Sequence, residues 1–213
     1  MTKFYREKIT LAGQRYEKIF LAEGLAEALF FDTLFTKNNF DENEYCVFCF
    51  KGISNLTYSL KILCSEPEFD HVKSLGIMID ADDNPKGRMD STLRYLHHYD
   101  LSDENFVLEE NTIFEYKGRR IGIFISPGMG KEGRIETMIV EEIATKKEYD
   151  CILEYFNCLN ERHHINLDEK AIVQIYISLK KSDLCGTGRG FEAGIFDIEH
   201  IIYESAVTTF TSI

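Results

Sequence analysis

The residues best suited to chemistry in this chain are acids that follow apolar runs. Asp80 and Asp82 lie in Asp80-Ala81-Asp82-Asp83, directly after Leu75-Gly-Ile-Met-Ile79. Glu23 lies in Phe20-Leu-Ala-Glu-Gly-Leu-Ala-Glu27. In an extended segment residues i and i+2 point to the same side, so the Asp80 and Asp82 carboxylates are expected to project together. Two such charges repel and call for a compensating partner. Among oxygen-liganded cations Mg²⁺ is the usual one, with Mn²⁺ as a substitute, in one or two copies. The competing readings are a solvated acidic turn for the Asp pair and a helix-capping carboxylate for Glu23. Glu27, one helical turn after Glu23, and Asp83, beside the pair, are candidates to support the ligands from behind.

These acids need elements to hold them. Residues 16–21 are rich in aromatic and branched side chains and read as a strand, with Glu23 and Gly24 at its end. Gly24 is expected to permit a tight turn over the site. Residues 25–35 have a helical apolar period, 45–50 read as a strand, 55–63 as a helix and 72–80 as a fully covered strand. A polar loop over 81–87 precedes a helix over 88–97. Alternating strands and helices predict an α/β fold with a doubly wound, mainly parallel sheet, and such sheets place their sites at the carboxyl ends of the strands. Residues 112–116 and 120–126 read as a hairpin, 127–133 as a glycine-rich loop, and 135–144, 150–159 and 167–179 as helices. From residue 182 the pattern is less regular, and Gly186-Thr-Gly-Arg-Gly190 reads as a loop. The organisation expected is an α/β domain over residues 1–147, with residues 148–213 as a helical and irregular C-terminal extension packed on it.

The chain has 213 residues, 44% of them hydrophobic, enough to bury a core. It contains no apolar run long enough to span a bilayer and no signal-peptide pattern, so no membrane partner and a cytoplasmic location are expected. The six cysteines are then expected to be reduced. Cys46 and Cys49 have metal-clamp spacing, but on a strand they face opposite sides, which favours core packing. The pairs His97-His98 and His163-His164 read as surface residues at helix ends. A formal net charge of −12 argues against a broad nucleic-acid surface. It leaves room for a local basic strip, and Lys51, Lys86, Arg88, Lys131 and Arg134 are the candidates.

The order Leu21-Ala-Glu-Gly-Leu-Ala-Glu27, then Leu75-Gly-Ile-Met-Ile-Asp-Ala-Asp82, resembles the Toprim fold of topoisomerases, primases of the DnaG type and overcoming-lysogenization-defect nucleases. It is most similar to small stand-alone bacterial Toprim-like proteins. These also share a strand ending in Pro and a Gly-x-x-Glu helix start, here Arg120-Ile-Gly-Ile-Phe-Ile-Ser-Pro127 and Gly133-Arg-Ile-Glu136. The resemblance spans about residues 15–145. It implies Glu23, Asp80 and Asp82 as catalytic metal ligands, with Glu23 also a general acid or base and Glu136 a further metal ligand. It implies a Mg²⁺-dependent nuclease or other phosphodiester-acting enzyme, on DNA rather than RNA, in phage defence or DNA repair. The alternative is a non-catalytic Toprim-like module working through a protein partner such as an ATPase. Self-association is compatible with either. The resemblance assigns no catalytic residue beyond position 150.

Overall fold

A computed structural model of the chain describes residues 2–103, 106, 113–128, 130–165 and 168–213. Three positions in the expected elements, Thr112, Met129 and Leu167, lie outside the described residues.

The apolar runs form the strands β1 (Tyr5–Arg6), β2 (Lys18–Ala22), β3 (Tyr45–Cys49), β4 (Ser74–Asp80), β5 (Ile113–Tyr116) and β6 (Arg119–Ser126). They make one sheet in the order β1-β3-β2-β4-β6-β5. Every pairing is parallel except β5 with β6, the expected hairpin. The helices are α1 (Leu25–Lys37), α2 (Leu56–Ser65), α3 (Pro85–His98), α4 (Ile135–Ile143), α5 (Glu148–His163), α6 (Glu169–Lys180), α7 (Thr187–Glu192) and α8 (Glu204–Thr211). The chain is therefore α/β with a mostly parallel sheet and flanking helices.

The pleat sorts the sheet's side chains between two separate cores. Phe20, Ala22, Cys49, Met78 and Phe124 face a core shared with α1 and α4–α8. Ile19, Leu21, Cys46, Leu75, Ile77, Ile79, Ile121 and Ile123 face the core of α2 and α3. Cys46 and Cys49 thus lie on opposite faces as free thiols. Burial pushes the Cys46 thiol up to about 12, which leaves it inert.

Several boundaries differ from the sequence reading. Helix α3 starts at Pro85, three residues before the expected start, because Asn84 caps it by accepting the Gly87 N–H at 2.9 Å, and Pro fits the first helical turn. The dipeptide β1 was not expected. It is too short to show periodicity, and it is held by Asp32, whose Oδ1 accepts the N–H groups of Phe4 at 2.7 Å and Tyr5 at 3.0 Å. The expected loop at residues 186–190 is largely the helix α7. Its glycines serve close packing: a Cβ on Gly188 would stand 2.8 Å from the Leu25 carbonyl oxygen of α1. The region after residue 182 is accordingly more regular than its composition suggested, with α7, a short 3₁₀ turn (Ile201–Tyr203) and α8 closing over the sheet. Among the described residues no helix is long and apolar enough to cross a membrane.

Candidate functional site

The parallel register of β2 and β4 pairs Ala22 with Met78, so Glu23 and Asp80 emerge together at the carboxyl edge of the sheet. The backbone N–H of Glu23 donates to the Met78 carbonyl at 3.0 Å. The Glu23 carboxylate then accepts the Asp80 N–H at 3.1 Å through Oε2 and the Ile53 N–H at 3.1 Å through Oε1. Asp80 in turn is fixed from β6, its partner strand, where Ser126 lies in register. Asp80 Oδ1 accepts the Ser126 hydroxyl at 2.6 Å and the N–H of Ile135, the first residue of α4, at 3.1 Å. The α4 N-terminus therefore points its positive end at this carboxylate.

Two further acids complete the cluster from helix starts. Glu27 is only 3% exposed and accepts the Gly24 N–H at 2.8 Å. Gly24 itself is extended (φ −128°, ψ 179°), a conformation open to any residue, so its expected role in a tight turn does not hold. What glycine leaves is room for the Glu27 carboxylate: a Cβ there would stand 2.7 Å from Glu27 Oε2, which would have to shift. Glu136, in the first turn of α4, is 5% exposed and accepts the Thr187 hydroxyl at 3.1 Å.

Electrostatics tie these acids together. Burial, with the Glu136 and Glu23 charges, raises the Asp80 carboxyl to about 6 despite the Ser126 and Ile135 hydrogen bonds. Burial, then the Asp80 and Glu136 charges, pushes Glu27 well above the usual carboxylate range. Both shifts mark a site crowded with negative charge.

Asp82 does not join them as expected. Its backbone has φ +49°, so it is not the next extended residue after Asp80, and the i, i+2 rule fails there. An antiparallel bridge to Gly133 holds this bend, with N–H···O distances of 2.8 and 2.7 Å. The Asp82 side chain is hydrogen-bonded to Arg88, and its Oδ1 accepts from Arg134 Nε at 2.7 Å. Burial opposes ionisation of Asp82, but hydrogen bonds from Arg134 and Arg88 outweigh it and lower its pKa.

The candidate basic strip is largely engaged with acids. Arg88 also lies 3.9 Å from Glu23 Oε1, and Lys131 lies 3.8 Å from Glu141. Lys86 is exposed on α3, and Asp83 is exposed at the rim. Lys51 lines the cleft that holds Glu23, Glu27, Asp80 and Glu136. That cleft has a volume of about 750 Å³ and is also lined by Tyr5, Leu25, Lys170 and Gly188. A second cleft of about 820 Å³ lies on the other side of Glu136 and Lys170, past Arg134, Asp82 and Asp168.

Ser126, Lys170 and Thr187 contact the acids or line their cleft and were passed over in the sequence. Ser126 had a readable signal, because it ends the strand beside Asp80. Lys170 and Thr187 come from beyond position 150 and had none; the Thr137 hydroxyl brings the start of α6 in by donating to Glu169 at 2.6 Å.

Among the described residues no three carboxylate, histidine or cysteine side chains form a ready-made metal ligand set. Each acid of the cluster takes N–H or O–H donors instead. The donor chemistry still suits a hard dication, since all four groups are carboxylates and two are held above their ordinary pKa by burial and by neighbouring negative charge.

No curated protein matches the chain. Among solved structures it is similar to the hypothetical protein PH0156 from Pyrococcus horikoshii OT3, with 15% identity and a TM-score of 0.58 over 92% of this chain and 94% of that one. At that identity the likeness speaks for the fold alone. The family model described as "Protein of unknown function (DUF3226)" matches residues 17–213, nearly the whole chain with sheet, acidic cluster and C-terminal helices together, and the chain belongs to that family.

Proposed function

We propose that the chain is a Toprim-like, Mg²⁺-dependent enzyme acting on phosphate esters of nucleic-acid type, with Glu23, Asp80 and Glu136 as the cation ligands and Glu27 behind them. The observation that carries this is the convergence of Glu23 and Asp80 on neighbouring parallel strand ends, where the charges of Glu23 and Glu136 help raise the Asp80 carboxyl. A dication, when bound, relieves that repulsion, stabilises charge on phosphoryl oxygens and makes water easier to deprotonate. Glu23 is the group to accept the proton of an attacking water as the new P–O bond forms and the bond to the leaving oxygen breaks. Asp82 serves differently from the sequence expectation: it positions Arg88 beside Glu23 and Arg134 at the start of α4.

Isothermal titration with Mn²⁺, followed by Mg²⁺- and Mn²⁺-dependent cleavage assays on phosphodiester substrates, tests this reading. Saturable Mn²⁺ binding lost in Asp80→Asn supports it. No binding by the wild-type chain at millimolar Mn²⁺ would sink it.

A second reading, a non-catalytic module working through a protein partner such as an ATPase, draws on the pairing of Arg88, Arg134 and Lys131 with acids. Those pairs leave fewer cations to grip a nucleic-acid backbone. Recovery of a stoichiometric partner together with absence of cleavage would favour it.

A further inference from the structure

The two clefts beside Glu136 differ in what they can admit. The flanking cleft carries Asp82, Asp83, Glu132, Asp168 and Glu169, shares Glu136 and Lys170 with the site cleft, and has its Arg134 already paired with Asp82. A polyanionic backbone running through it would meet more carboxylates than unpaired cations. The site cleft adds a second lysine and an apolar surface. With its acids, Glu7 among them, it is lined by two lysines from separate elements, Lys51 after β3 and the shared Lys170 on α6. Beside them it presents apolar surface, Tyr5 and Leu25, the latter 47% exposed although it opens a helix whose other large apolar residues are mostly buried. Its volume of about 750 Å³ falls within the roughly 300–1,000 Å³ of small-ligand sites. The wall that limits it comes from the C-terminal helices: Gly188 of α7 lies against Leu25, and Thr187 is hydrogen-bonded to Glu136.

We infer that this cleft takes a single nucleotide unit, as a free nucleoside phosphate or as the terminal nucleotide of a strand, and excludes a nucleic-acid backbone that continues on both sides. The phosphate lies with Lys51 and Lys170 at the acid cluster, and the base and sugar lie over Tyr5 and Leu25. Lys170 is a phosphate-positioning residue supplied by the C-terminal helices. This deepens the reading of the same site as a metal-dependent phosphoester centre and rests on it.

The test uses the full chain and separates the two claims. Mn²⁺ binding is measured first, by titration without nucleotide. With Mn²⁺ present, a nucleoside 5′-monophosphate and inorganic phosphate are titrated in turn, and linear 5′-phosphorylated and closed circular single-stranded DNA of one sequence are compared as substrates. Nucleotide binding that weakens about tenfold in Lys170→Ala and recovers in Lys170→Arg is expected, since one charge-assisted hydrogen bond is lost and restored. Leu25→Asp should weaken the nucleotide more than inorganic phosphate. Linear DNA should release nucleotides from an end while the circle stays intact. Cutting of the circle at a rate comparable to the linear strand overturns the inference while leaving the metal-site reading standing. So does Mn²⁺ binding without any nucleotide binding. Absence of Mn²⁺ binding overturns the metal-site reading, and the inference falls with it.

Discussion

The Glu23 carboxylate accepts the backbone N–H of Asp80 at 3.1 Å. In a parallel ladder that N–H would go to the Glu23 carbonyl, as the Glu23 N–H goes to Met78. The carbonyl instead accepts from Gly52 at 2.9 Å, so the side chain takes the place of the backbone and extends the β2–β4 pairing by one bond. The two acidic motifs are thus locked in register, and a change at one is felt at the other.

Asp80→Asn keeps an oxygen for the Ser126 hydroxyl and the Ile135 N–H and removes only the charge. The cation-free variant should therefore melt above the wild type at pH 7, by about 2–4 °C for ~1 kcal/mol relieved. It should bind Mn²⁺ at least about tenfold more weakly. Thermal melts and titration calorimetry read both. A variant that melts lower and still binds Mn²⁺ would contradict the placement of this carboxyl.

The pH dependence follows from the same group. Its carboxyl is raised from 3.8 to about 6 in the folded chain. The folded state thus holds this proton more tightly than the unfolded state. The stabilisation is complete below about pH 4 and is lost as pH rises through about 6, to a total of roughly 2–3 kcal/mol. The cation-free chain should melt higher at pH 5 than at pH 7. Mn²⁺ affinity should rise over the same interval, because the cation competes with the proton. Melts across pH in the presence of a chelator check the first expectation, and Asp80→Asn should flatten the curve.

Asp82→Asn tests the reassignment of Asp82. Asn tolerates the positive φ held there, so the bend should survive. The change removes the counter-charge of Arg88 and Arg134. The variant should elute from heparin at higher salt than the wild type, with Mn²⁺ affinity changed by no more than about threefold. Loss of Mn²⁺ binding as complete as in Asp80→Asn would restore Asp82 to the ligand set.

Gly188→Ala tests the docking of α7. The added methyl meets the Leu25 carbonyl oxygen and Leu29 Cδ1 within 2.9 Å, and one of those contacts is backbone. A cost of about 1–3 kcal/mol is expected, read by chemical denaturation. Gly24→Ala should act closer to the chemistry, by displacing the Glu27 carboxylate.

The sheet was legible because its signal is local. The apolar runs at 19–21, 46–50 and 75–79 state both faces of a covered strand, and the hairpin announces itself through Lys117-Gly118-Arg119. Glu23 and Asp80 were legible because a parallel register aligns strand ends. The orientation of Asp82 was misread because a one-residue bend is fixed by a distant backbone partner, Gly133, that no local pattern reveals. Helix α7 was misread because its Gly188 answers to α1, across some 160 residues of chain. Thr187 and Lys170 reach the cleft through tertiary packing alone, which periodicity does not encode.

The sheet's division between two cores has a temporal meaning during synthesis. One face, with Ile19, Ile77 and Ile123, is complete once β6 has joined the strands covered by α2 and α3. The other, with Phe20, Met78 and Phe124, waits for Tyr203, Ala206 and Phe210. A nascent chain ending near residue 150 holds every acid of the cluster but lacks the helices that wall its cleft. An emerging fragment would have its acidic edge in place before that edge was walled into a cleft, so enclosure is the last property to arrive.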